Sequence, residues 1–245
     1  MTTTSHYVML HSEQKMAAGD NLRMELLVAT LAHTNRGANE EALARVRLVV
    51  DTMKNVPGMM NARLYAGREG EACYFILTSW EDEEFWQKAQ EQERQNPRDL
   101  LLNASSELLT AAPEQWQMHY LWGYSRPSAQ PNIAAAHLAT VRPDQTERVQ
   151  RAWIENLQRQ ATQPTLAFAF LTRGRNVDTM PYGVNGMASG QENAHRSTFL
   201  NLLSWPGETQ QKDFYSDQQY KAFRGFLNQV GMERIIMLEP QTAEG

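Results

Sequence analysis

A chain of 245 residues with 42% hydrophobic and 21% charged side chains has the composition of a soluble globular protein, with room for one large domain or two ordinary ones. Its net charge of −5 and its lack of a Lys/Arg cluster argue against a nucleic-acid partner. The single cysteine, Cys73, excludes a disulfide framework and a cysteine-based zinc site.

The hydrophobic residues are not arranged for a membrane. No apolar run approaches the roughly 20 residues that a membrane helix needs. The N-terminal residues lack the basic start and the long apolar segment of a signal peptide. We therefore expect a cytoplasmic protein with no membrane partner.

The first half of the chain predicts secondary structure in the order β-α-β-β-α-β. Residues 1–21 are polar apart from one short apolar patch, and we interpret them as an N-terminal arm. A strand over 22–34 precedes a helix that begins at Asn39 and has acidic residues in its first turn. The later elements are strands over 60–66, 72–80 and 117–124, with helices from Glu81 and from Pro97 between the last two strands. The alternation of the last strand predicts that Tyr120, Trp122 and Tyr124 share one face.

The same order repeats after a linker at 125–131. The elements are strands over 133–141, 165–173, 197–205 and 232–239, with helices from Asp144 and from a cap at Ser216. Both halves contain a strand that ends in Ser-Trp, at Ser79-Trp80 and at Ser204-Trp205. This agreement suggests an internal duplication. The sequence thus predicts an α+β fold of two tandem ferredoxin-like repeats over residues 22–126 and 132–240.

One long connection distinguishes the second half from the first. It spans residues 174–196, whereas the first half joins its equivalent strands in a few residues. A connection longer than about 15 residues in a compact domain is usually functional or disordered. We interpret it as a lid over a pocket in the second half, with Tyr182 as a substrate contact and His195 near the pocket.

Both halves resemble the antibiotic-biosynthesis-monooxygenase (ABM) family. The resemblance rests on SerTrpGluAsp at 79–82, and on SerTrpPro followed by a segment with several aromatic residues at 213–223. It covers about residues 22–240 as two copies. It implies a ferredoxin-like fold whose two copies close, within one chain, the dimeric α+β barrel that single-copy relatives form as dimers.

The resemblance also implies candidate site residues. Oxygenases of the family carry an Asn four residues before the Trp, a spacing matched by Asn201 and Trp205, whereas the first half has Ile76 at that place. Haem-degrading relatives use a His at a position matched here by Asp213, which argues against haem. His195, His137 or Tyr215 would have to ligate haem instead.

The remaining candidates follow from strand periodicity and residue chemistry. Phe199 and Leu203 share a strand face with Asn201 and Trp205, and would contact the substrate. Asn201 would donate to a substrate carbonyl or a developing anion, or else make a structural hydrogen bond. Trp205 would form the wall of the pocket, or pack in the barrel.

Proton transfer needs a base, and four side chains are candidates. His137 lies on a strand face with small neighbours and would accept a proton, or else bond to a backbone carbonyl. His195 would fold back over the pocket or stay solvated, and Tyr182 and Tyr215 carry the same alternatives. The scattered histidines lack metal-ligand spacing, so no metal site is expected.

The leading functional hypothesis is a cofactor-independent, ABM-like oxygenase. It would act on a small aromatic or polyketide-like substrate with dioxygen, in the second-half pocket. The alternatives are a haem-binding or haem-degrading protein and a non-catalytic binder of small ligands. The chain would be a monomer or a homodimer.

Overall fold

The computed structural model describes residues 26–35, 39–68, 70–91, 97–105, 107–177 and 196–241. The predicted arm at 1–21 lies outside the described residues, as do residues 178–195 of the predicted lid, with Tyr182 and His195. Asn176 and Arg196, close to either side of that gap, line a cavity at one mouth of the barrel.

Eight strands form one closed barrel. They are β1 (Leu26–His33), β2 (Met59–Gly67), β3 (Cys73–Trp80), β4 (Glu114–Ser125), β5 (Ile133–Val141), β6 (Phe168–Asn176), β7 (Ser197–Trp205) and β8 (Gly231–Gln241). The order around the barrel is β1-β3-β2-β8-β5-β7-β6-β4. Each half contributes four neighbouring strands, and the antiparallel pairs β2–β8 and β4–β6 join the halves. The predicted ferredoxin-like α+β fold is confirmed, and the sheet closes within one chain.

In the described part of the chain, six α-helices cover the outside of the barrel. They are α1 (Asn39–Met53), α2 (Glu83–Glu91), α3 (Pro97–Ser105), α4 (Thr146–Ala161), α5 (Glu208–Ser216) and α6 (Gln218–Val230). α1 to α3 belong to the first half, and α4 to α6 to the second. Among the described helices, none is long and apolar enough to span a membrane.

Strand alternation divides the apolar residues into three cores. One face of each strand points into the barrel, where Phe75, Trp116 and Leu200 pack with other buried side chains. The opposite faces pack against the helices, α1 to α3 in the first half and α4 to α6 in the second. Because successive side chains of a strand point to opposite faces, each helix-facing position is separated from the barrel interior.

Corresponding positions in the two halves can be read from the strand registers. Leu26 lies opposite Trp80 where β1 pairs with β3, and Ile133 lies opposite Trp205 where β5 pairs with β7. Four residues further along, Thr30 faces Ile76 in the first pair. At the same step in the second half, His137 faces Asn201.

Three local expectations were wrong. β6 runs from Phe168 to Asn176, so the strand includes the first residues of the predicted lid. A register shift after Tyr120 sends that ring to the barrel interior, while Trp122 packs on the second helix-facing core. The cap of α6 is Asp217, whose side chain accepts from the Tyr220 amide, because Ser216 still belongs to α5.

Candidate functional site

Six of the eight site residues predicted from the sequence meet in one layer, between the second-half sheet and helices α4 to α6. β7 directs Phe199, Leu203 and Trp205 into this layer, and β5 and α5 contribute His137 and Tyr215. Asn201 joins them as the register partner of His137. Strand alternation explains the grouping on β7, because residues two apart share a face.

His137 is the polar centre of this layer. It is completely buried, and both of its ring nitrogens have partners. Nδ1 lies 2.9 Å from Glu233 Oε1, and Nε2 lies 2.9 Å from the Tyr215 hydroxyl. A carboxylate only accepts, so the proton is assigned to Nδ1. With a proton on Nδ1 alone, Nε2 can accept the Tyr215 O–H, which places a base in direct contact with a hydroxyl.

Glu233 is held from two sides. Its side chain is 2% exposed, and its second oxygen accepts from Arg224 Nε at 3.0 Å. Burial acts to raise the pKa of the Glu233 carboxyl, but the hydrogen bonds and charges of His137 and Arg224 outweigh burial and lower that pKa below its usual range. Glu233 therefore stays ionised and can stabilise positive charge on the imidazole.

Two tyrosines complete the polar network. Tyr215 stacks beside the His137 ring, and the Tyr220 hydroxyl lies 3.4 Å from His137 Nδ1. Burial and the charge of Glu233 raise the pKa of Tyr215. The pKa of Tyr220 is raised by burial, then by Tyr215 and Glu233. Both phenols thus keep their protons at neutral pH.

Tyr215 links this network to the aromatic wall of the layer. Its ring centroid lies 5.5 Å from that of Trp205 and 5.5 Å from that of Phe214. Tyr215 and Arg224 are only partly buried, whereas Glu233 and His137 between them are shielded from solvent. The network therefore forms a relay, Arg224–Glu233–His137–Tyr215, that comes near the surface at both ends.

Asn201 is held by its neighbours in the layer. Its amide satisfies both neighbours when the nitrogen donates to the Phe170 carbonyl at 3.0 Å and the oxygen accepts from Trp153 Nε1 at 3.0 Å. This structural hydrogen bonding was the alternative considered for Asn201. One N–H of the amide remains beyond the bond to Phe170, because the side chain has two.

The two strand-terminal tryptophans differ in their hydrogen bonding. Trp80 donates from Nε1 to Thr78 Oγ1 at 3.0 Å. Leu203 takes the place of Thr78 in the second half and cannot accept a hydrogen bond. Trp205 is fully buried, and its Nε1 has no partner among the residues that the structure describes. A buried N–H without an acceptor is costly, so this donor is a candidate contact for a ligand.

The first half has no equivalent of the relay. Thr30 takes the place of His137, and Ile76 takes the place of Asn201. The Thr30 hydroxyl accepts from Gln115 Nε2 at 3.1 Å, and both residues are fully buried. The helix-facing layer of the first half is therefore polar but without a base.

Sequence reasoning did not find Glu233, Arg224, Tyr220 or Trp153. Glu233 lies 96 residues after His137, so the spacing of the two residues in the sequence does not indicate that they are partners. One signal was present, because a Glu on the helix-facing side of a predicted strand would require a buried cation. The pairing of β5 with β8 places that strand beside His137.

The described residues do not fit a haem site at His137. Both ring nitrogens already have partners, and the Tyr215 oxygen is bonded to one of them. Asp213, at the position of the expected ligand, offers a carboxylate in place of an imidazole. Within the described ranges, no three His, Cys, Asp or Glu side chains cluster closely enough to hold a metal ion.

Comparisons with known proteins agree with this architecture. Residues 24–95 match the family described as antibiotic biosynthesis monooxygenase. An anthrone oxidase-like protein of known structure shares 13% identity at a TM-score of 0.67, over 89% of this chain and 92% of the other. No curated protein gives a match.

Two further solved structures have the same fold. A candidate monooxygenase from Fusobacterium nucleatum shares 8% identity at a TM-score of 0.61, over 89% of this chain and 93% of its own. Another from Lactobacillus acidophilus shares 10% identity at a TM-score of 0.58, over 89% and 95%. At such low identity these likenesses show the fold alone. Residues 24–95 thus match the antibiotic biosynthesis monooxygenase family, and the chain as a whole has an ABM-like α+β barrel fold that closes within one polypeptide.

Proposed function

We propose that this protein is an ABM-like oxygenase that oxidises a small aromatic substrate with dioxygen, without a metal or an organic cofactor. The observation that carries the proposal is His137, buried between the Glu233 carboxylate and the Tyr215 hydroxyl at 2.9 Å from each. A buried histidine base of this kind is suited to remove a proton from carbon or from a phenol.

The relay suggests a route for the substrate proton. Tyr215 gives its proton to His137 Nε2 as its oxygen receives one from the substrate. The imidazolium is stabilised by Glu233, whose other oxygen is bonded to Arg224. The arrangement is the one by which a carboxylate orients and supports a histidine base.

The substrate anion needs donors, and the layer has two. The Trp205 Nε1–H has no acceptor among the described residues, and Asn201 retains one N–H beyond its bond to Phe170. Donors fixed in an apolar environment stabilise developing charge more strongly than water does. Phe199 and Leu203 would contact the flat faces of the substrate. Asn201 and Trp205 are buried, so a substrate reaches these donors only if the side chains around them rearrange.

Anthrone is a suitable probe, because loss of one proton gives an extended aromatic enolate. The enolate carbon transfers electrons to dioxygen and forms a hydroperoxide, which loses water to leave anthraquinone. One anthrone and one dioxygen are consumed, and one anthraquinone and one water are produced. The anthrone oxidase-like neighbour supports the choice of probe only through the shared fold.

An oxygen electrode tests the proposal on chelator-treated full-length protein. Wild type should consume one dioxygen per anthrone, and Tyr215→Phe should lose about 100-fold or more in rate, as expected for a lost acid–base group. Tyr220→Phe is the matched control, because its hydroxyl makes only the longer contact of 3.4 Å to His137. Anthrone binding without oxygen uptake would favour the non-catalytic binder. A saturating haemin spectrum at one haem per chain would favour the haem protein.

A further inference from the structure

The cavity at one mouth of the barrel lies on the opposite side of the sheet from the polar atoms of the relay. It has a volume of about 370 Å³ and is continuous in its lining with a smaller neighbouring cavity through Thr140, Arg196 and Met232. Small-molecule sites typically have about 300–1,000 Å³. The lining residues used below are Trp116, Leu138, Thr140, Arg196, Thr198 and Arg234.

The cavity is a product of strand alternation. All of these residues have even residue numbers, and the even-numbered residues of these strands face the barrel interior. The registers place Thr140 beside both Thr198 and Met232, so β5, β7 and β8 meet at this mouth. Odd positions of the same strands face the helices and carry the relay. The two sites therefore share strands but not surfaces.

The floor of the cavity is apolar and flat. Trp116 and Leu138 are 4% and 5% exposed and belong to the core inside the barrel. The guanidinium of Arg234 lies 5.7 Å from the centre of the Trp116 ring. The guanidinium covers this face of the indole, and its own outer face is one on which a planar ring can stack.

The rim of the cavity carries positive charge that is only partly neutralised. Arg234 donates to Glu114 at 2.8 Å, so that pair is balanced. Glu233 contributes to the lining, but its carboxylate is bonded to His137 and Arg224 on the other face of β8. Arg196 has no ion pair or hydrogen bond among the described residues. An arginine beside a cavity is suited to bind a carboxylate through two parallel N–H bonds.

We propose that this mouth is a binding site for a small aromatic carboxylate. The ring would lie on the Arg234 guanidinium that covers Trp116 and against Leu138, and the carboxylate would meet Arg196, with the hydroxyls of Thr140 and Thr198 beside it. A neutral ring would lose the arginine contact. A carboxylate without a ring would lose the stacking surface. The proposal does not depend on oxygenase activity, because none of the relay residues' polar atoms is used.

Calorimetry with 2-naphthoate tests the site on the full-length protein, with 2-naphthamide as the neutral probe of the same shape. We expect one naphthoate per chain, and at least tenfold weaker binding of the amide. Arg196→Gln should weaken naphthoate binding by about 10- to 100-fold, as expected for a lost charge-assisted hydrogen bond. Arg148→Gln is the matched control, because Arg148 stacks on Phe226 at the helical surface.

Three results would overturn the proposal. They are the absence of naphthoate binding to wild type, equal affinities for the acid and the amide, and equal losses in Arg196→Gln and Arg148→Gln. Arg196 is partly exposed and precedes β7, so its replacement should not disturb folding. Arg196→Lys is a second variant that keeps the charge but loses the planar fork, and it should bind with intermediate affinity. An affinity equal to that of wild type would contradict the bidentate contact.

Discussion

His137 on β5 and Glu233 on β8 form a buried pair, with 2.9 Å between Nδ1 and Oε1. They are not directly opposite in the sheet, since Glu233 faces Ala139 and His137 faces Ile235. Diagonal neighbours on one face of an antiparallel pair are within reach of long side chains, and the small Ala139 leaves room. This pair determines both the stability and the proposed chemistry of the layer.

Glu233→Gln should strongly destabilise the protein. Removing the buried carboxylate leaves the Arg224 charge and the His137 Nδ1–H without their partner, and breaking a buried charge pair in this way typically costs about 3–5 kcal/mol. Urea unfolding at pH 7 measures this loss. Glu208→Gln is the control, since the Glu208 side chain is 60% exposed and should change the unfolding free energy little. Equal effects of the two variants would contradict the buried pair.

The cost of Glu233→Gln should also depend on pH. The pKa of Glu233 is lowered in the folded protein relative to its ordinary value of 4.5. The stabilisation is therefore complete above pH 4.5 and is lost as pH falls through the folded pKa. The difference in unfolding free energy between wild type and variant should shrink below about pH 4.5. A difference that stays constant down to pH 3 would contradict the lowered pKa.

Thr78→Val should cost more than Thr172→Val. Both threonines are fully buried, and each hydroxyl donates to a strand carbonyl, at Val28 and Leu200 respectively. Thr78 also accepts from Trp80 Nε1, so its loss leaves an indole N–H unpaired. The excess cost should be about 1–3 kcal/mol in urea unfolding. Equal costs would show that the Trp80 N–H does not need this acceptor.

Asp217→Ala should destabilise the start of α6 by about 1–2 kcal/mol, the usual range for a lost helix cap. Asp217 accepts from the Tyr220 amide at 2.8 Å and pairs with Arg159. Asp217→Asn keeps the cap but loses the charge, so it should cost less than Asp217→Ala at pH 7. The hydrogen bond from Arg159 lowers the pKa of Asp217. The difference in stability between wild type and Asp217→Asn should therefore become smaller in acid, as Asp217 is protonated. Thermal unfolding at pH 7 and pH 3 measures both effects.

Gly174→Ala should weaken the pairing of β4 with β6, which joins the two halves of the barrel. A Cβ at Gly174 would lie 1.8 Å from the carbonyl oxygen of Gln117, on the neighbouring strand β4. Overpacking of this kind costs about 1–3 kcal/mol or more. Gly225→Ala is the control, since a Cβ there meets nothing within 4 Å and the site is an exposed turn of α6. That change should stabilise by about 0.5–1 kcal/mol. A neutral Gly174→Ala would contradict the β4–β6 register.

The fold was predictable because its signals are local. The Ser-Trp strand ends and the helical stripes repeat in each half, and strand alternation correctly grouped Phe199, Asn201, Leu203 and Trp205. The sequence indicated only His137 and Tyr215 of the relay. Glu233 reaches His137 through the pairing of β5 with β8, and Arg224 contacts Glu233. The hydrogen bond from Trp153 Nε1 to the Asn201 side-chain oxygen also depends on how α4 packs. Side-chain partners across elements depend on register and docking, which periodicity does not specify.

The most direct test of the relay separates proton removal from oxygen chemistry. Wild type, His137→Gln and Tyr220→Phe would each be mixed with anthrone without oxygen, and the absorbance of the enolate followed in time. His137→Gln should form the enolate no faster than buffer alone does. Wild type and Tyr220→Phe should accumulate the enolate to one equivalent per chain. Circular dichroism would establish that all three are folded. Enolate formation by folded His137→Gln at the wild-type rate would contradict His137 as the base.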